Sequence, residues 1–157
     1  MRKTLKLLLI IFPILFLGCG YSVLNKTQNN NFNIAEISMS GEKRINYNIR
    51  SKLLFLTSEN SKNILSVNIV TNKKKNIKDK NIKNEITKYQ ITIISEVNYQ
   101  LIGSTKKNNF TVSQSGDFKV SSNRLNTLVS EKKLIKRLTD NIIKQISNNL
   151  NKISNDN

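Results

Sequence analysis

Cys19 is the only cysteine in a chain that has no histidine and no tryptophan. One thiol and no imidazole exclude an intramolecular disulfide, a zinc site of the usual Cys/His kind, and any triad or acid–base scheme that runs through histidine. Serines are numerous, but no Gly-x-Ser-x-Gly elbow occurs, so none reads as a nucleophile. Asp79, Glu85, Glu96 and Asp117 have neither the spacing nor the companions of a glycosidase pair or a calcium loop. The chain is therefore expected not to be an enzyme, and no metal or other cofactor is expected. Two kinds of chemistry remain. Cys19 can accept an acyl group, and a large lysine excess can hold anions: 26 Lys and Arg stand against 10 Asp and Glu, for a formal net charge of +16.

The residues before Cys19 read MRKTLKLLLIIFPILFLG. Arg2, Lys3 and Lys6 form a positive start, and Leu7 to Leu17 is an unbroken apolar run. A membrane-spanning helix needs ~20 apolar residues, so this run is too short for an ordinary span and has the length and flanks of an export signal covering residues 1–18. Phe16-Leu17-Gly18-Cys19 resembles a bacterial lipobox, matching at Gly18 and Cys19 and departing at Phe16 and Leu17. The resemblance implies that Cys19 becomes the first mature residue and carries a thioether-linked diacylglycerol and an amide-linked acyl chain such as palmitate. Several chains anchor stably where one is marginal, at ~0.8 kcal/mol per buried methylene. Gly20, where Asp would favour the inner membrane in known lipoproteins, fits the outer membrane. In that compartment the excess of Lys meets phospholipid and lipopolysaccharide, and no nucleic acid. The plainer reading, that lysine only keeps the protein soluble, stands level with it.

The elements that must carry these groups follow from periodicity. Residues 19–31 are polar and read as a tether, and 32–153 as one domain followed by a polar tail at 154–157. Phe32 to Ile37 is a short strand. Ser40-Gly41-Glu42 starts a helix over about 42–56, with Ile45, Ile49, Leu53 and Leu56 on one face. Ile64 to Thr71 alternates as a strand. The Lys- and Asn-rich stretch 72–88 reads as a long loop or a ragged strand extension. Tyr89 to Ile102 alternates most clearly, with Tyr89, Ile91, Ile93, Ser95, Val97, Tyr99 and Leu101 on one face. Phe110 to Ser121 alternates again and makes a hairpin with it, Gln114 and Gly116 marking a bulge or close approach. Ser130 is the expected N-cap of a last helix whose stripe is Leu134, Leu138, Ile142, Ile146, Leu150 and Ile153. The predicted fold is α+β: a two-layer sandwich in the order β-α-β-β-β-α, with both helices on one face of a mainly antiparallel four-stranded sheet. A parallel or mixed pairing at one edge stays open, because a helical crossover follows the first strand.

Gly18-Cys19-Gly20-Tyr21, Tyr89-Gln90-Ile91, Tyr99-Gln100-Leu101 and the amphipathic segment Leu134 to Leu150, in this order of elements, resemble the lipopolysaccharide-assembly lipoprotein family LptE. The resemblance rests on order and pattern across nearly the whole mature chain. It implies a non-enzymatic outer-membrane lipoprotein that plugs the LptD-type β-barrel, helps it assemble and aids lipopolysaccharide insertion. The candidate phosphate contacts are Lys106, Lys107, Lys119 and Arg124, held on the expected hairpin. Lys73, Lys74, Lys75, Lys78, Lys80, Lys83 and Lys88 form a second basic run whose plain reading is a solvated charge run. The alternative function is a periplasmic adaptor or pilotin for another envelope machine, binding through an exposed strand edge or helix groove. Replacing the acyl acceptor, Cys19→Ser, is expected to abolish labelling by radioactive fatty acid and to release the protein from membranes. Unchanged labelling would contradict the assignment.

Overall fold

The computed structural model describes residues 30–155. The expected signal segment, Cys19 and most of the expected tether lie outside the described residues. The elements are β1 (Asn33–Gly41), α1 (Lys43–Leu56), β2 (Ile64–Lys80), β3 (Ile86–Leu101), β4 (Lys107–Lys119) and α2 (Arg124–Asn155). The strands form one sheet in the order β1-β2-β3-β4. β1 and β2 are parallel, because α1 carries the chain back along the sheet before β2 begins, whereas β2–β3 and β3–β4 are antiparallel. The α+β order is the expected one, and the edge pairing left open by the sequence is parallel.

Residue parity decides which face of the sheet is covered. Leu65, Val67 and Ile69 of β2, Ile91, Ile93 and Val97 of β3, and Val112 and Phe118 of β4 are buried against the helices. α1 supplies Ile45, Ile49 and Leu53, and α2 supplies Leu134, Leu138, Ile142, Ile146 and Leu150. Each such side chain contributes ~1.5–3 kcal/mol when fully buried. Ser95, the polar member of the β3 stripe, is fully buried opposite Thr71, and the two hydroxyls bond at 3.1 Å. That pair removes the cost of two unsatisfied hydroxyls in the core. At Gly116 the close approach expected from sequence is present and the bulge is absent. An added Cβ would lie 2.8 Å from Leu134 Cδ1, and β3–β4 stay in register throughout.

Two segments extend further than their clearest pattern. The stretch 72–88, read as a long loop or a ragged strand extension, is the strand extension, closed by a tight turn: β2 runs on to Lys80, pairs with β3 from Asn72↔Ile94 to Ile77↔Tyr89, and shifts register between Ile77 and Lys80. Lysine has weak strand propensity, but β3 offers a strongly patterned partner, and tertiary pairing overrides propensity. Lys75 lies over the rings of Tyr89 and Phe118, at 4.5 and 5.1 Å from Nζ to the centroids, so its methylene stem serves as apolar surface. At the tip, Asn81 Oδ1 accepts the backbone N–H groups of Lys83 (3.0 Å) and Glu85 (2.9 Å), which closes the turn. Likewise α2 starts six residues before Ser130 and spans 32 residues. Asn123 caps it, its Oδ1 accepting Leu125 N–H at 2.8 Å. The helix continues into the stretch expected to be tail.

Gly41 ends β1 with φ +92° and sits against β2, where an added Cβ would stand 2.1 Å from Thr71 O. Gly103 has a similar φ of +91° in the β3–β4 turn, with nothing within 4 Å of an added Cβ. Gly41→Ala is therefore expected to lower stability by at least about 2 kcal/mol, and Gly103→Ala by about 1 kcal/mol, in urea unfolding. Equal losses would show that the approach to Thr71 does not constrain the fold.

Candidate anion-binding surface

The strands, helices and turns give the domain two unlike ends. At one end lie the start of β1, the end of α1, the β3–β4 turn and the end of α2. Amides join them. Asn30 Nδ2 donates to Leu56 O at 2.7 Å, Asn151 Nδ2 donates to Asn30 Oδ1, and Asn31 N–H donates to Asn151 Oδ1 at 3.0 Å. Asn63 Nδ2 donates to Ser154 O at 2.7 Å. The last two residues assigned to the tether thus belong to the domain, and the chain enters at this end. Lys106 and Lys107 are exposed here. Lys106 borders a cleft of about 230 Å³ with Tyr99, Leu101 and Ile153, and burial pushes the Tyr99 hydroxyl pKa up.

The opposite end is the β2–β3 tip, the end of β4 and the start of α2. Four ion pairs line this arm. Lys75 meets Glu131 at 2.7 Å, Lys73 meets Glu42 at 3.4 Å, Lys88 meets Asp79 at 2.6 Å, and Lys78 bonds Asp117. The Asp79 hydrogen bond and charge push the Lys88 pKa up, and the Lys78 ammonium holds the Asp117 carboxyl below its ordinary range. Such exposed pairs contribute little to stability. Their consequence is electrostatic, since they occupy Glu42, Asp79, Asp117 and Glu131, while Glu85 at the tip accepts a hydrogen bond from Asn81 Nδ2 instead. Among the described residues Lys74, Lys83, Lys119 and Arg124 have no ion-pair partner, and Lys119 stands directly across from Lys88.

The four candidate contacts therefore do not form one site. β4 separates Lys106 and Lys107 from Lys119 and Arg124 by ~40 Å, at about 3.4 Å per residue. The structure brings Lys119 and Arg124 to the same end as Lys78, Lys80, Lys83 and Lys88. It also shows a cleft the sequence did not reveal, about 360 Å³ between the helices, with Arg44, Lys132 and Lys136 above Ile45 and Ile135. The Lys52–Asp140 pair closes it on one side. No sequence spacing signals this cleft, because it exists only where two helices run parallel. Lysines act on phosphate as point charges, so both surfaces suit anion binding without covalent chemistry. Among the described residues no helix is long and apolar enough to cross a membrane.

No protein-family model matches the sequence, and no curated protein is similar to it. Solved structures share the fold. The rare lipoprotein B from Shewanella oneidensis has a TM-score of 0.52 at 13% identity, over 75% of this chain and 90% of that one. An uncharacterized lipoprotein B from Nitrosomonas europaea has a TM-score of 0.50 at 13% identity, over 78% and 83%.

The Asp117 contribution is complete above the ordinary carboxylate pKa and is lost as pH falls through the lower folded value. The Lys88 contribution is complete below the ordinary lysine pKa and is lost as pH rises through its higher folded value. An NMR titration is expected to place the Asp117 midpoint below that of an unfolded-chain aspartate, and Lys78→Ala to bring it back up. A midpoint that Lys78→Ala leaves unmoved would remove Lys78 as the cause.

Proposed function

We propose that this chain is an outer-membrane lipoprotein of the LptE type. In this reading it is acylated at Cys19, sits within an LptD-type barrel, helps that barrel assemble, and aids lipopolysaccharide insertion into the outer leaflet. The observation that carries the reading is the separation of anchor and charge. The chain enters the domain at the amide-joined end, and the unpaired cations of the β2–β3 arm, Lys119 and Arg124 lie at the other. The run from Cys19 to Asn30 reaches at most ~40 Å, which keeps the entry end near a membrane and points the basic end away from it. The lipoprotein B structure that shares this fold is named a lipoprotein, which supports lipid anchoring.

The helix-free face of the sheet supports the barrel partner. It presents Ser38, Asn68, Asn98 and Asn109 in one cross-strand row and Glu36, Ser66, Gln100 and Lys107 in the next. The interiors of large outer-membrane barrels are polar and water-filled, and an amide- and hydroxyl-rich face suits such a lumen. In this reading the protein works by binding and positioning.

Because ~40 Å exceeds one phosphate-bearing headgroup, the two candidate pairs are separable by mutation. Lys119→Glu with Arg124→Glu is expected to weaken lipopolysaccharide binding about tenfold at low salt, with the difference shrinking as salt rises. Lys106→Glu with Lys107→Glu is expected to change it less than about twofold. Equal losses from both pairs, or none from either, would contradict binding at the basic end.

A further inference from the structure

We propose that the free edge of β4 is a docking site for an extended, acidic strand from a partner protein, a reading independent of the lipid-binding one. The ladder phase shows which backbone groups are available. Ile102 N–H donates to Ile64 O at 2.8 Å, so even-numbered residues of β3 bond β2 and odd-numbered ones bond β4. Val120 N–H donating to Thr87 O at 2.9 Å shows the same phase on the other side. Even-numbered residues of β4 are therefore used by β3. Asn109, Thr111, Ser113, Ser115 and Asp117 turn their N–H and C=O groups outward, and none of these groups has a partner among the described residues.

Natural sheets protect such edges with bulges, prolines or charges. β1, the other edge, does so: its register shifts between Ile34 and Glu36, and Glu36 sits at the irregularity. β4 does not. It pairs with β3 in unbroken register from Lys107 to Lys119, has no proline, and carries no charge from Asn108 through Gly116. An open edge left so regular is a template for a further strand, whose backbone would complete the outward groups.

The flanking side chains define that strand. On the helix side, Phe110, Val112 and Phe118 would lie beside its apolar residues. On the other face, Asn109, Thr111, Ser113 and Ser115 would lie beside polar ones. The charge comes from α2. Arg137 Nη2 lies 3.6 Å from where a Gly116 Cβ would stand, so the guanidinium reaches the edge at the position that has no side chain. Lys133 and Lys144 share that helical face by spacing and are exposed. Among the described residues none of the three side chains has an ion pair or a hydrogen bond. This cationic flank asks for carboxylates on the helix side of the incoming strand. A second copy paired through the same edge would set an identical cationic flank against it, so the partner of matching charge is a different chain.

The test uses the full acylated chain in detergent and a short synthetic peptide of alternating Thr and Val in which one Val is Glu, with a Glu→Lys twin. Titrating the Glu peptide is expected to shift the amide resonances of residues 109, 111, 113, 115 and 117 and to slow their hydrogen exchange. Ser113→Pro removes one outward N–H and leaves the β3 ladder intact, and is expected to abolish binding while the core resonances stay in place. Arg137→Glu, on the helix surface, is expected to weaken the Glu peptide about tenfold and to favour the Lys twin. No shift at the five amides, or equal binding by the Ser113→Pro variant, would overturn the proposal. Equal affinity for both peptides would overturn its acidic part. A dimer of the chain that Ser113→Pro makes monomeric would assign the edge to a second copy and overturn it too.

Discussion

A sheet with one apolar face has to be covered on that face alone, and the rest of this molecule follows from that constraint. Parity along β2, β3 and β4 sends Leu65, Val67, Ile69, Ile91, Ile93, Val97 and Val112 to one side. The two helices bury that side and leave the opposite face to water. Both helices follow strands that run in the same direction, β1 and β4, so they run parallel to each other and open a cleft along their contact. Thr71 and Ser95, both fully buried in this layer, satisfy each other across two strands.

The same geometry sorts the charges. Strands as long as β2, with 17 residues, outrun α1, and the N-terminal half of α2 reaches the arm beyond it, through Glu131 to Lys75 and through Leu134 to Gly116. There the carboxylates Glu42, Asp79, Asp117 and Glu131 are each taken by a lysine. The arm's surplus cations are left facing outward at a fixed distance from the end where the chain enters. A basic composition spread along the sequence thus becomes a basic end in three dimensions.

Much of this could be read from the residues. The alternation of Tyr89 to Leu101 and the four-residue spacing of Ile45, Ile49 and Leu53 announce their elements, because burial on one side leaves a period in the sequence. Where burial is partial the period fades. Lys73 and Lys75 occupy apolar-side positions with their methylene stems, so from sequence the β2 arm reads equally as a loop or as a ragged strand extension. Leu125, Leu128 and Val129 stay exposed and off the stripe, so the start of α2 is hidden. The candidate contacts failed to converge for a simpler reason. Lys106, Lys107, Lys119 and Arg124 are neighbours along the chain, and an intervening strand is a spacer. The interhelical cleft and the ladder phase of β4 depend on which elements lie side by side, and no local pattern records that.

The polar open face, the entry point at one end and the cations at the other are the features on which the proposed barrel partnership rests. The most direct measurement is affinity purification of the tagged full chain from detergent-solubilised outer membranes, with identification of what comes with it. The account predicts an equimolar LptD-type barrel. Recovery of the chain alone, or with a secretin in place of that barrel, would contradict it.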